Sequence, residues 1–299
     1  GLNIENMTKI ANPIYDVVFK YLMSDNKIAK LVLTTIIGKE VVTLQFRDTE
    51  KRTDLDKSIK HHRLDFSAEI LDDNKEKKVV IIELQKIRLP ADIVRFRRYL
   101  GEQYANKENT YLGTNDKGDP EIKAMPIISI YFLGYQLYKI DAPVLKINRD
   151  TIDVATNKKI EEKSEFTECL THDSFIIQIP YLKEKRRNDI EKLLAIFDQT
   201  NMDKEDYHAL NLNEEEFPDK FKEIVRKLVK ANAEPEIRRK MDLEDDLVEE
   251  IRNKDLAIKR RDEKLAEKDE KLAEKDEKLA EKDEIIKQLQ AKLNLLNNK

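Results

Sequence analysis

From Ile251 to Leu293 an apolar residue recurs at every seventh position: Ile251, Ile258, Leu265, Leu272, Leu279, Ile286 and Leu293. A sustained seven-residue period predicts a left-handed coiled coil, because the helix must supercoil to keep such a stripe on one seam. The heptad LAEKDEK begins at Leu265 and is repeated from Leu272. Glu267–Lys271 and Glu274–Lys278 stand four apart, the spacing at which opposite charges support a helix. Neither Gly nor Pro interrupts the chain after Pro235. The end of the chain is therefore expected to be one long helix, too charged to fold back into a core. Its stripe predicts pairing with a second copy, a homo-oligomer. A lone solvated helix is the alternative, since the second core position of the repeats falls on Asp or Lys.

The remainder of the 299 residues must supply any globular domain. The chain is 39% charged and 40% apolar, but much of the charge sits in the tail, so the first two thirds have an ordinary globular balance. A net charge of -4 gives no overall basic excess, which counts against tight sequence-independent DNA binding unless a metal site organises the phosphate contacts. Cys169 is the only cysteine, which excludes an internal disulfide and a Cys-x-x-Cys zinc site and fits a reducing compartment. No apolar run of about 18 residues is present, so no membrane span is expected. A cytoplasmic location is expected. No glycine-rich phosphate loop occurs, which disfavours a nucleotide-driven motor.

Asn12-Pro13 predicts a helix start, followed by Ile14, Val17, Val18, Tyr21 and Leu22 at helical spacing. A second helix is expected from Asp25 to Ile37, ending at Gly38. Val41 to Phe46 reads as a strand, and Arg47 to Lys60 as an exposed loop or hairpin. Leu64 to Leu71 and Val79 to Gln85 read as two strands joined at Asp72-Asp73-Asn74-Lys75, an antiparallel hairpin. A helix after Pro90, a polar loop with Gly113 and Gly118, and a buried strand from Met125 to Leu133 follow. Short strands are expected at Val144 to Ile147 and Ser174 to Pro180, and helices at Lys185 to Gln199 and Glu214 to Asn232. His61 and His62 fall in an expected loop, and His172 and His208 have no ligand-spaced neighbours in sequence.

The chemistry-bearing segment is Arg63-Leu64-Asp65-Phe66 followed by Ile81-Ile82-Glu83-Leu84-Gln85. In an antiparallel hairpin Asp65 and Glu83 lie on adjacent strands. Glu83 and Gln85 share one strand face, because side chains alternate with a period of two. Val80, Ile82 and Leu84 pack on the other. Two carboxylates and an amide oxygen then converge among apolar strands. Such hard oxygen donors suit Mg²⁺ (or Mn²⁺), which takes one or two carboxylates and keeps sites for water and phosphate. An ion so held activates water toward a phosphoryl group. Two alternating polar residues alone favour ordinary exposed positions on a half-buried strand; the apolar run Val79 to Ile82 before them, beside an Asp on the neighbouring strand, favours the site.

These motifs resemble the PD-(D/E)XK nuclease family transposases, relatives of the bacterial recombination-promoting nucleases. The resemblance covers about Asn12 to Leu137. It rests on Asp16-Val17-Val18-Phe19-Lys20, the Leu64-Asp65-Phe66 strand, the Ile82-Glu83-Leu84-Gln85 strand and Arg95-Phe96-Arg97-Arg98-Tyr99, in that order. It implies an α/β, restriction-endonuclease-like core, a mixed sheet flanked by helices, spanning 1–200. A helical connector at 201–234 and a coiled-coil tail at 235–299 follow. Asp65 and Glu83 are the implied metal ligands. Gln85 takes the position of the superfamily's catalytic lysine, a substitution usual in this family. Asp16 and Lys20 match a recurrent motif on the first helix, for which a structural and a catalytic or phosphate-binding role stand equally open. Arg95 and Arg98 are implied phosphate binders that read equally well as surface charges on an amphipathic helix. Lys86 is assigned no role, since it points to the other face. The expected activity is Mg²⁺-dependent endonucleolytic hydrolysis of DNA, in recombination or transposition. The rivals are a catalytically inactive nucleic-acid-binding or scaffold module and a coiled-coil structural protein capped by a globular head.

Overall fold

The computed structural model describes residues 7–47, 61–91 and 93–299. The polar stretch 48–60, expected as a loop or hairpin, lies outside them. The chain opens with β1 (Met7–Ala11), α1 (Asp16–Met23) and α2 (Asn26–Ile37). Both ends of α2 have local causes. Asp25 accepts a hydrogen bond from the Ile28 amide (3.3 Å), and Gly38 closes the helix at φ 75°, a left-handed conformation that disfavours a Cβ. Next come β2 (Val41–Arg47), β3 (His61–Leu71) and β4 (Lys77–Ile87). The β3–β4 hairpin forms where the turn residues predict it: Asp72 Oδ1 accepts from the Asn74 and Glu76 amides, both at 2.9 Å. Its strands are longer than expected and take in His61 and His62, which are strand residues and not loop residues.

After β4 come α3 (Ile93–Ala105), β5 (Thr110–Thr114), β6 (Pro120–Ala124) and β7 (Ile127–Leu133). The expected polar loop is thus a small hairpin. Asn115 organises its turn by accepting from the Lys117 and Asp119 amides at 2.9 and 3.0 Å. Then follow β8 (Val144–Ile147), β9 (Thr151–Asp153), β10 (Lys158–Ile160), α4 (Glu165–Leu170) and β11 (Asp173–Gln178). The first unit is completed by α5 (Asp189–Leu194), β12 (Ala209–Asn213), α6 (Lys222–Ala233) and the start of α7 (Pro235–Asn297). The helix expected from Lys185 begins only after Asn188, whose side chain accepts from the Glu191 amide (2.9 Å) and fixes the start there.

A mixed six-stranded sheet orders these strands β2-β3-β4-β7-β11-β8. β2, β3 and β4 are antiparallel neighbours; β4, β7 and β11 are parallel; β8 is antiparallel to β11. A parallel β4–β7 pair obliges the chain to return across a sheet face, and α3 makes that return. One sheet face carries Phe66, Ile82, Leu84, Ile130, Phe132 and Ile177, all at most 2% exposed, in the same core as residues of α1, α2 and α6. The opposite face carries Ile87, Tyr131 and Leu133 against Phe96 of α3.

The chain divides into a first unit ending at Glu244 and a second from Asp245 to Lys299. The anticipated connector at 201–234 is integral to the first unit. β12 pairs antiparallel with β1 from the opposite end of the unit's sequence, Met7 opposite Asn213 and Ala11 opposite Ala209, and α6 buries Ile224, Val225, Leu228 and Ala231. The start of α7 belongs there too, since Ile237 and Met241 join the core. The second unit is helix to Asn297, about 80 Å at about 1.5 Å per residue. Ile258, Leu265, Leu272, Leu279, Ile286 and Leu293 are each 50–59% exposed on it. No helix among the described residues is long and apolar enough to cross a membrane.

Because Met241 is wholly enclosed in the first unit's core, Met241→Ala is expected to destabilise that unit by about 2–5 kcal/mol in urea unfolding. Leu272→Ala should leave the same transition within about 0.5 kcal/mol. Equal losses for the two would contradict the division of the chain at 244.

Candidate functional site

Register decides which side chains meet. In β3–β4, Asp65 stands opposite Glu83 and Arg63 opposite Gln85. Alternation puts all four on the sheet face covered by α3, while Leu64, Phe66, Ile82 and Leu84 enter the core behind them. The parallel partner β7 places Ser129 beside Glu83 and Tyr131 beside Gln85. Asp65, Glu83 and Gln85 are all 0% exposed. The three residues expected to converge are therefore brought together.

Two buried carboxylates on adjacent strands need compensation, and among the described residues Gln85, Arg63 and Gln103 supply it. Gln85 Nε2 donates to Glu83 Oε1 at 2.8 Å. Arg63 Nη2 donates to the same oxygen at 3.1 Å, while its Nη1 reaches Glu102 Oε2 at 3.1 Å. The guanidinium lies 3.6 Å from the Tyr99 ring centroid, a stacked cation–π contact. On the other carboxylate, Gln103 Nε2 donates to Asp65 Oδ2 at 2.7 Å. The Gln103 amide is oriented in turn: its Oε1 accepts from Asn109 Nδ2 at 2.9 Å, and Asn109 Oδ1 accepts from Arg47. A chain of hydrogen bonds thus runs from the β2 edge to Asp65. Burial pushes the Tyr131 phenol up to about 12, with the Glu83 charge adding to the rise against a hydrogen bond to Ser129, so Tyr131 stays a neutral donor.

Arg63, Gln103 and Asn109 were not assigned roles from sequence. Arg63 lies in the motif that drew attention to Asp65, two residues away and so on the same face. Gln103 had a weaker signal: with Phe96 and Tyr99 it forms the buried stripe of α3, and a polar residue in that stripe needs a partner. Asn109 has no signal of this kind.

The other expected site residues lie elsewhere. Asp16 begins α1, which packs in the core behind the sheet, and Lys20 is exposed in the last turn of that helix. Asp16 pairs with Lys86, which follows Gln85 and therefore points to the opposite face. Lys86 is 1% exposed, and its Nζ also donates to the Ile14 carbonyl at 2.6 Å. From α7, Glu244 accepts from the Asp16 amide at 3.0 and 3.3 Å and lies 3.8 Å from Arg88, whose guanidinium sits 4.4 Å from the Tyr15 ring centroid. This geometry makes Asp16 the counterion of a buried lysine, away from the Asp65–Glu83 pair. Arg95 and Arg98 lie on α3, Arg95 half-buried and Arg98 exposed. Of the histidines, His172 Nδ1 is 2.7 Å from the Tyr104 hydroxyl and His208 Nε2 is 3.5 Å from Asp242, partners that sequence spacing did not reveal.

The donor set at Asp65 and Glu83 fits a hard divalent cation: two carboxylates on neighbouring strands, with amide side chains around them and no thiolate. Comparison with models of protein families, with curated proteins and with solved structures gives no match.

The cluster behind the sheet carries a pH dependence. Burial, helped by the Asp16 charge and opposed by Lys86 and Arg88, pushes Glu244 from 4.5 up to about 7. The folded chain then holds a proton that the unfolded chain releases, so this group's contribution is full below about 4.5 and is lost as pH rises to about 7. The difference is on the order of 3 kcal/mol. Glu244→Gln, which retains an acceptor for the Asp16 amide, is expected to be more stable than wild type at pH 8. The gap should shrink toward pH 5, as melting temperatures across that range would show. A gap that does not change with pH would contradict the assignment.

Proposed function

We propose that the first unit is a metal-dependent endonuclease that hydrolyses DNA phosphodiester bonds, with Asp65 and Glu83 holding a Mg²⁺ or Mn²⁺ ion. The reading is carried by one observation: Asp65 and Glu83 are direct cross-strand partners, without solvent exposure, on the sheet face beneath α3. Burial of two facing carboxylates is costly to stability and has a ready explanation if a divalent cation joins them. The motif order that resembles PD-(D/E)XK nucleases, with Gln85 two residues after Glu83, points the same way, and a mixed sheet with helices on both faces is compatible with such a core. A role in recombination or transposition is part of the same resemblance.

When bound, the ion supplies Lewis-acid stabilisation of a phosphoryl oxygen and a water of lowered pKa. The chain's own residues prepare the site. Gln103 fixes the orientation of Asp65, and Asn109 fixes that of Gln103. Gln85 holds Glu83 Oε1 with a neutral donor that does not repel an incoming cation. Tyr131 remains protonated and adds no negative charge. Arg95 and Arg98 offer cations for the DNA backbone from α3, and the location that suits these roles is the cytoplasm.

The second reading is a catalytically inactive nucleic-acid-binding or scaffold module. It is favoured by the Arg63–Glu83 pair, which already offsets one carboxylate without a metal. A plasmid-nicking assay separates the two. Wild type with Mg²⁺ or Mn²⁺ is expected to nick, while Asp65→Ala and Glu83→Ala lose at least about a hundredfold in rate and stay folded. Full activity in either variant would sink the nuclease reading.

The exposed stripe of the second unit supports self-association through a coiled coil, which would bring two such sites into one assembly. Light scattering of the full chain at tens of micromolar is expected to give a mass above one chain. Truncation after Glu244 should return it to a monomer. A full-length monomer would exclude this part of the proposal and leave the site untouched.

A further inference from the structure

The guanidinium of Arg63 occupies the border between the buried carboxylates and solvent. Its side chain is 11% exposed, between Glu83 at 0% and Glu102 at 40%. One Nη atom serves each carboxylate, at 3.1 Å in both cases, and the Tyr99 ring holds the guanidinium at 3.6 Å. Stacking of this kind fixes the plane while letting the nitrogens change partners within it. The cation is permanent, and its planar fork matches the oxygens of a phosphate as well as those of a carboxylate.

Any divalent ion that takes Glu83 must contend with this contact. Arg63 and such an ion compete for the same carboxylate, and like charges a few ångströms apart repel. Glu83 would not be stranded by the departure of Arg63, because Gln85, the direct cross-strand partner of Arg63, also donates to Oε1. Arg63 also has somewhere to stay: Glu102 and Tyr99 hold it at the mouth of the site. Asp65, Glu83 and Glu102 place three carboxylates around this guanidinium, oxygen donors of the kind a hard dication takes.

We propose that Arg63 is an exchangeable counterion: it neutralises Glu83 while no divalent cation is bound, and passes its guanidinium to a substrate phosphate once such an ion takes Glu83. The proposal rests on the reading of the site as metal-dependent. It assigns the positive charge that Gln85 lacks to the residue directly across the hairpin.

The test uses the full-length chain with two readouts, Mn²⁺ affinity by titration calorimetry and plasmid nicking. In Arg63→Gln the competitor is gone, so Mn²⁺ is expected to bind about tenfold more tightly. Nicking is expected to fall about a hundredfold, because a donor to the phosphate is lost. A residue needed only for folding would not move the two readouts in opposite directions. Arg63→Lys keeps the charge without the fork, so Mn²⁺ affinity should stay within about threefold and nicking fall about tenfold. Arg63→Gln that binds Mn²⁺ no more tightly than wild type, or nicks at the wild-type rate, overturns the proposal. If Arg63→Gln does not fold, Arg63→Lys decides, and wild-type nicking by it overturns the proposal as well. Wild type whose Mn²⁺ binding is insensitive to Asp65→Ala refutes the metal-site reading itself. Wild type that binds through Asp65 with Arg63 variants unchanged refutes only the role of Arg63.

Discussion

Two carboxylates face each other across the β3–β4 hairpin with no access to solvent, and much of the first unit's polar architecture can be traced to that fact. Charge in a low-dielectric interior is tolerated only with hydrogen-bond partners or counterions, and each partner must itself be held. Glu83 draws in Gln85 and Arg63; Arg63 requires Tyr99 and Glu102 of α3. Asp65 draws in Gln103, which requires Asn109, whose amide also donates to the Gln103 carbonyl at 2.9 Å. Asn109 then reaches Arg47 on β2. The placement of α3 over this face, the course of the chain after it and the end of β2 are all coupled to the same pair of charges.

Behind the sheet a second charged group answers a different need. Lys86 is one residue from Gln85, so the strand's alternation drives its long side chain into the main core, where an unpaired ammonium would be untenable. Asp16 at the start of α1 and the Ile14 carbonyl receive it, and Glu244 ties the Asp16 amide to the first turns of α7. This arrangement explains why an acidic residue stands at the start of α1 without bringing it into the Asp65–Glu83 pair. It also explains why the globular unit continues to Glu244, well past the Pro235 at which the sequence changes character. α7 begins at Pro235 and runs without a break to Asn297, but its burial is not continuous: Met241 is enclosed, whereas the heptad residues from Ile258 onward stand in solvent.

Much of this was legible in the residues because it depends on local rules. The turn chemistry of Asp72 sets the hairpin, Asp25 and Gly38 set the ends of α2, and the period of two puts Glu83 and Gln85 on one face and Lys86 on the other. The seven-residue period likewise gives the tail's helix and its exposed stripe. Each of these follows from backbone geometry over fewer than a dozen residues at a time, and no distant contact is needed to decide it.

What tertiary structure alone decided are contacts between residues remote in sequence. β1 finds β12, which turns an apparent connector into part of the core; five-residue strands carry no sign of their partner. Asn109 meets Gln103 and Arg47, and Glu244 meets Asp16, only because the sheet and its covering helices bring them together. Arg63 could be placed on the right face from sequence, but that it stacks on Tyr99 and bridges Glu83 to Glu102 depends on α3 crossing at that height. Sequence fixes which way a side chain points along its own strand or helix. What it meets there is set by packing, since the period of a strand contains no information about the element laid across it.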